Sequence, residues 1–365
     1  MNGFRKNNPH MTLQDLGYTS ALETYRQEHQ LASFAVGRIA SEHKERYIVK
    51  TPEREYDGEI IGNLRFTANS RADFPAVGDW VAFSEYNDHD ALIHAILPRK
   101  TMIERQAVGK QGEKQIIATN IDHGFIVQAV DRDFNLNRIE RYLTICHASK
   151  VRPVIILNKI DLIDEAALHD LVAKVRERVR EVPVITLSNQ TQDGIEQVKA
   201  QIKTGETCCL LGSSGVGKST LSNILSGKSR MKTDTISSST NKGRHVTSHR
   251  ELMVLENGGI LIDNPGMREV GVADASDGLE QTFEQIMTLA AACKFRDCTH
   301  TTETGCAVIS AVENGEIDDA SYDNYLRMER EKDHFESTVA EKRRKDKEFG
   351  KMVKHIKKVK QRKRY

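Results

Sequence analysis

Cysteine, proline and tryptophan are all scarce in this chain: six, seven and one among 365 residues. A disulfide reading of the three cysteines at 293–306 would leave one unpaired and would need an oxidising compartment, for which no leader segment is read. No apolar run approaches the roughly 18 residues of a membrane span, so no membrane partner is expected and the expected location is cytoplasmic. Net charge is lacking too, at +1. That balance hides a local excess: residues 341–365 hold thirteen Lys/Arg against three Asp/Glu, so the rest of the chain is acidic. A basic tail of this kind suits a polyanion, with RNA the expected one. Phe349, Met352, Ile356 and Val359 also recur in it at helical spacing, which would let it dock on a partner as an amphipathic helix. The length allows two or three domains with proper cores.

What is present is a set of nucleotide-handling motifs. Gly212-Ser213-Ser214-Gly215-Val216-Gly217-Lys218-Ser219-Thr220 fits the phosphate-loop pattern. Its glycines let backbone N–H groups turn toward phosphate oxygens, Lys218 supplies a cation for the β- and γ-phosphates, and Ser219 is placed to ligate Mg²⁺. The apolar run 208–211 reads as the strand before the loop and 218–226 as the helix after it, whose dipole favours anions.

The base must be read elsewhere. The apolar run 154–157 reads as a buried parallel strand, with Asn158-Lys159-Ile160-Asp161 at its C-terminal end, where open α/β sheets bind ligands. The Asp161 carboxylate can accept both guanine N–H donors, a pair that adenine does not offer. Ser188 and Asn189 follow the strand 183–187, where a backbone N–H could reach the guanine carbonyl. The third part is Asp263-Asn264-Pro265-Gly266, after a strand–turn–strand reading of 251–262. Asp263 suits Mg²⁺ held through water, and the Gly266 N–H suits a γ-phosphate. The polar stretch 241–249 reads as a switch in which Thr247 closes over the metal. Met267 stands where many GTPases place a water-orienting Gln, and His245 is the nearest candidate for that work. The guanine motif thus precedes the phosphate loop by about 50 residues, the reverse of the usual order.

Cys208 and Cys209 in the strand before the loop, and Cys146 on the helical stretch 138–149, read as core fillers. The other three form Cys293-x4-Cys298-x-His300-x5-Cys306. Three thiolates and an imidazole give a closed tetrahedral shell, so one structural Zn²⁺ is expected.

Around these anchors, Leu13, Leu16, Tyr18, Leu22 and Tyr25 suggest one or two short N-terminal helices packed on a barrel. Short β-rich pieces at 34–39, 46–50, 59–64, 79–84 and 91–97 fit a five-stranded barrel, and Lys44, Arg46, Lys50, Arg65 and Arg71 would suit an RNA-facing surface. Strands at 125–130, 154–157 and 183–187 alternate with helices at 136–149 and 165–179, as in a doubly wound sheet.

The permuted motif order, the string Gly243-Arg244-His245-x-Thr247 and the cysteine cluster resemble the RsgA family, circularly permuted GTPases of small ribosomal subunit assembly. The likeness covers roughly residues 30 to 310. It implies a multidomain α/β protein: an oligonucleotide/oligosaccharide-binding (OB) barrel, a circularly permuted phosphate-loop GTPase domain and a C-terminal helical zinc domain. The expected limits are a helical extension at 1–30, the barrel at 31–105, the GTPase domain at 106–275, the zinc domain at 276–340 and the basic tail at 341–365. It implies GTP and GDP as ligands, hydrolysis stimulated by the small subunit, contact with its rRNA, and His245 as the water-positioning histidine; a monomer is expected. Three positions depart from the family's pattern: Asn264 for the commoner Thr, Val246 for a switch Thr, and Ser188-Asn189 for a Ser-Ala pair. The rival from another class is a GTP-gated RNA-binding module with incidental hydrolysis. A phosphate-loop kinase would need an acceptor site or lid, and none is visible.

Overall fold

A computed structural model describes residues 11–43, 45–68, 70–106, 114–132, 134–227, 250–263 and 276–336. After a single 3₁₀ turn at Gln14–Leu16 and helix α1 (Ser20–Glu28) come β1 (Ala35–His43), β2 (Arg46–Lys50), β3 (Glu55–Ile60), helix α2 (Gly62–Thr67), β4 (Trp80–Glu85) and β5 (Asp90–Ile96). These strands run in the order β1-β2-β3-β5-β4, and β1 pairs with β4 to close a five-stranded barrel. Ile39, Tyr47, Val49, Tyr56, Val81, Phe83 and Ile93 fill it. On its outer side Leu16, Tyr18, Trp80 and Leu97 form a second cluster with Leu13, Leu22 and Tyr25 against it, so the N-terminal segment packs on the barrel as its spacing implied.

Two expectations for the barrel need correcting. The third strand is 55–60, and the chain then turns into α2, where the Arg65 N–H donates to the Ile61 carbonyl at 3.2 Å. Apolar residues at 60, 61 and 64 fit a helical period as well as a strand, while Glu55 and Asp57, on the exposed side of β3, disguised its start. Lys50 does not face RNA: it is buried and donates to Glu55 at 2.7 Å. Arg46, Arg65 and Arg71 pair with Glu59, Glu45 and Glu42, and Lys44 lies outside the described residues.

A hairpin of β6 (Met102–Gln106) and β7 (Lys114–Thr119) leads from the barrel into an alternating α/β unit. Its elements are β8 (His123–Ala129), α3 (Leu136–Ala148), β9 (Arg152–Asn158), α4 (Glu165–Arg178), β10 (Val184–Leu187), α5 (Ile195–Ala200), β11 (Thr207–Leu211), α6 (Lys218–Leu225), β12 (Glu251–Val254) and β13 (Ile260–Asp263). The helix starts are written locally, since Asn135 and Asp164 accept backbone N–H bonds as N-caps of α3 and α4. Strand order is β10-β9-β8-β11-β13-β12, parallel except for β12. All seven residues of β8 are buried, as in a parallel strand covered on both faces. Cys146, Cys208 and Cys209 are fully buried, and desolvation raises their thiol pKa values, so they are inert filler.

Barrel and α/β unit are joined in three ways. β12 pairs with β1 at Glu251 and Ser41, giving one eleven-stranded sheet. Ala40 and Val77 of the barrel region belong to the same core as Ile126, Ile155 and Ile262. Arg38, buried on β1, donates to the carbonyls of Leu16 at 2.7 Å, Gly78 at 3.1 Å and Asn120 at 3.0 Å. Burial pushes its pKa down to about 10, opposed by Asp122 and Asp79.

The C-terminal unit is helical: α7 (Ser276–Thr282), α8 (Glu284–Ala290), α9 (Ala307–Glu313) and α10 (Asp319–Glu336), around Leu279, Phe283, Ile286, Val308, Tyr325 and Met328. It docks on α3. The buried Glu140 carboxylate accepts from Ser321 at 2.8 Å and Asn324 at 2.6 Å of α10, and from Arg178 of α4 at 2.7 Å. Thr144 donates to Thr282 at 3.0 Å, and Arg141 pairs with Glu331.

Candidate nucleotide site and metal centre

The sheet order places the loops after β8, β9, β10, β11 and β13 at one edge, the C-terminal ends of the parallel strands. The phosphate loop follows the central β11. Gly212 has φ +143, and a Cβ there would lie 2.3 Å from the Val127 carbonyl, so the chain cannot pass β8 with any other residue. Lys218 folds back on its own loop, donating to the carbonyls of Gly212 at 2.7 Å and Ser213 at 2.5 Å. Ser219 and Thr220 continue α6 behind it.

The guanine motif meets that loop directly. Asn158 is fully buried; its Nδ2 donates to the Val216 carbonyl at 2.7 Å and its Oδ1 accepts from the Lys159 N–H at 2.8 Å. Lys159 adopts φ +68 and its ammonium pairs with Asp131, just beyond β8, at 2.8 Å. Ile160 opens a 3₁₀ turn that carries Asp161, and the Ser188 hydroxyl donates to the Asp161 carboxylate. That hydroxyl in turn accepts from the Gln190 and Thr191 N–H groups, both at 3.1 Å. The Asn189 N–H donates to Asn158 Oδ1 at 3.3 Å. Asp263 is buried at the end of β13. The site therefore joins residues 158–161, 188–189, 212–220 and 263. His245, Thr247 and Gly266 lie outside the described residues.

Sequence reasoning passed over three contributors. Asp131 could have been found as an acid two residues past a strand end. Tyr142 of α3 is buried near Ser213 of the phosphate loop, and burial raises its pKa; nothing in the helical pattern marks it. The third is the Asn189 side chain, which donates to the Gly217 carbonyl at 2.9 Å.

The Cys293, Cys298, His300 and Cys306 ligand atoms all lie within 4.8 Å of one another. His300 Nδ1 is 3.4 Å from Cys306 Sγ and 3.6 Å from Cys293 Sγ. His300 holds φ +58, and the Tyr322 hydroxyl of α10 donates to its carbonyl. Cys306 caps α9, accepting from the Ile309 N–H at 3.4 Å. Partial burial opposes ionisation of Cys293, yet the N–H groups of Ala307 and Val308 hold its pKa below the usual thiol range, while desolvation and the neighbouring thiols push that of Cys298 up. The set could hold a metal ion.

A strand–phosphate loop–helix unit with a guanine motif on the preceding strands, and in inverted sequence order, defines a circularly permuted GTPase. Comparison with known proteins agrees. A family model described as RsgA GTPase matches residues 96–273. The small ribosomal subunit biogenesis GTPase RsgA of Opitutus terrae is 42% identical over 333 residues, covering 88% of this chain and 90% of its own. That of Bacteroides thetaiotaomicron is 39% identical, covering 97% and 99%. Among solved structures, the circularly permuted GTPase YloQ superimposes with a TM-score of 0.60 at 25% identity, covering 84% of this chain and 97% of its own. YjeQ from Thermotoga maritima gives 0.59 at 25%, covering 80% and 96%. An ABC transporter model also matches 195–363, a span that contains the phosphate loop and begins after the guanine motif. The chain belongs to the RsgA GTPase family.

Proposed function

We propose that this chain hydrolyses GTP to GDP and phosphate as an assembly factor in late maturation of the small ribosomal subunit, binding its rRNA, in the cytoplasm and as a monomer. The observation that carries this reading is the direct bond from Asn158 of the guanine motif to Val216 of the phosphate loop. It stands in a chain that matches relatives named for small ribosomal subunit biogenesis over nearly their whole length. No described helix is long and apolar enough to cross a membrane.

In this reading Asp161, held by Ser188, accepts from the guanine N–H groups, and the Asn189 N–H exchanges Asn158 Oδ1 for the guanine carbonyl. The N–H groups of 212–217 cradle phosphate oxygens, while Lys218 exchanges its carbonyl partners for the β- and γ-phosphates. Ser219 and Asp263 would hold Mg²⁺, which supplies charge neutralisation at the phosphates when bound. Thr247 and the Gly266 N–H close over the γ-phosphate, and His245 orients the attacking water. Cys293, Cys298, His300 and Cys306 hold one structural Zn²⁺. Because the helical unit that carries them docks on α3, whose Tyr142 lies near Ser213, contact of that unit with the subunit can reach the phosphate loop.

Single-turnover hydrolysis with and without purified small subunits tests the proposal, paired with co-sedimentation under GDP and a non-hydrolysable GTP analogue. Stimulated hydrolysis and preferential binding of the GTP-like form are expected. Nucleotide-dependent binding without stimulation would favour the RNA-binding module.

A further inference from the structure

The family's Ser-Ala pattern gives the second position of that pair only a backbone N–H, and this chain has an asparagine there. Its amide does something an alanine cannot. Asn189 Nδ2 donates to the Gly217 carbonyl at 2.9 Å, one residue beyond the carbonyl of Val216 that Asn158 Nδ2 holds at 2.7 Å. Two amides from two different base-reading loops thus grip successive peptides of the phosphate loop, and the Asn189 N–H ties those loops to each other through Asn158 Oδ1 at 3.3 Å.

The peptide unit is planar, so fixing a carbonyl fixes the N–H on its other side. Asn158 therefore aims the N–H of Gly217. Asn189, together with the Leu221 N–H that donates to the same carbonyl at 2.9 Å, aims the N–H of Lys218, which opens α6 and is one of the donors a phosphate meets. Gly217 sits at φ +98, and a Cβ there would lie 2.2 Å from Asn158 Nδ2 and 2.7 Å from Asn189 Nδ2, so both amides press against it. Asn189 Oδ1 is buried with no partner among the described residues. Turning the amide over would put that oxygen against the Gly217 carbonyl, so the Gly217 bond sets the amide's orientation.

We infer that the Asn189 side chain is a positioning residue, a latch between the base-reading and phosphate loops that slows nucleotide release. The inference rests on 158–161 and 188–189 being the guanine site. The test is stopped-flow release of a ribose-labelled fluorescent GDP from the full chain, comparing wild type with Asn189→Ala and Asn189→Asp. The first removes the donor. The second keeps the size and sets a carboxylate oxygen against a carbonyl. Release should quicken roughly tenfold in Asn189→Ala, the scale of one lost hydrogen bond, and further in Asn189→Asp. The preference for GDP over inosine diphosphate should stay as in wild type, because Asp161 is untouched, and the unfolding midpoint of Asn189→Ala without nucleotide should fall by only a few degrees, roughly the scale of the same hydrogen bond. Unchanged release in both variants overturns the latch. So does a lowered unfolding midpoint with unchanged release, the mark of a merely structural side chain. If the wild type binds GDP no better than ADP, the guanine-site reading fails first and takes the latch with it.

Discussion

The Ser188 hydroxyl donates to the carboxylate of Asp161 and accepts two backbone N–H bonds from its own loop. The acid proposed to read the base is thereby held from a neighbouring strand end before any ligand arrives, and this preorganisation makes its substitution informative. Asp161→Asn should weaken GTP binding and admit xanthosine triphosphate, because an amide can donate to the xanthine carbonyl where the carboxylate accepted from guanine. Competition binding with both triphosphates measures it. Retained GTP affinity with xanthosine triphosphate ignored would remove Asp161 from the role.

At the phosphate end, Lys218→Ala should abolish hydrolysis, and Ser219→Ala should do so through the lost Mg²⁺ ligand. His245→Ala should spare binding while lowering turnover by roughly 10²-fold or more, the scale of a positioned catalytic group. Parallel measurement of nucleotide affinity and single-turnover rate separates these cases, and equal loss of both for His245 would make it a structural switch residue.

For the metal, one Zn²⁺ per chain is expected by elemental analysis. Chelation should lower the unfolding temperature of the C-terminal helical unit while GTP binding persists, since metal binding contributes roughly 10 kcal/mol or more to folding the segment 293–306 that joins α8 to α9. A Cys298→Ser variant whose C-terminal region unfolds at the wild-type temperature would count against it. Chelation should also reduce subunit-stimulated hydrolysis more than basal hydrolysis.

Glu140 gives a prediction independent of any ligand. It is almost fully buried on α3 and accepts from Arg178, Ser321 and Asn324. Glu140→Ala would leave the Arg178 guanidinium, itself mostly buried, without its bidentate partner. A loss of roughly 3–5 kcal/mol by denaturant unfolding is expected, the usual result of breaking a buried pair. A loss under about 1 kcal/mol would mean that Asp318 and Asn137, the other partners of Arg178, suffice.

Those predictions divide according to what could be read in advance. Residues 158–161, 212–220 and the cysteine cluster are contiguous motifs whose chemistry dictates residue type at fixed spacing, so they were legible. So were the strands at 125–130, 154–157, 183–187 and 208–211 and the helices at 136–149, 165–179 and 218–226, because periodicity is local. Asp131, Tyr142, Glu140 and the side chain of Asn189 act through partners 28 to 184 residues distant, and no local pattern carries such information. β3 was misplaced for the opposite reason: its alternation was present, but its exposed side was acidic enough to resemble a turn.

The pairing of Ser41 with Glu251 has a practical side. A fragment cut at the beginning of the α/β unit would strip β1 from β12 and leave a four-residue antiparallel strand with an open row of N–H and C=O groups, beside a core that has lost Ala40 and Val77. Uncovered strand edges template association with other chains. Such a fragment should therefore self-associate in proportion to its concentration, and adding the separately made barrel should disperse it.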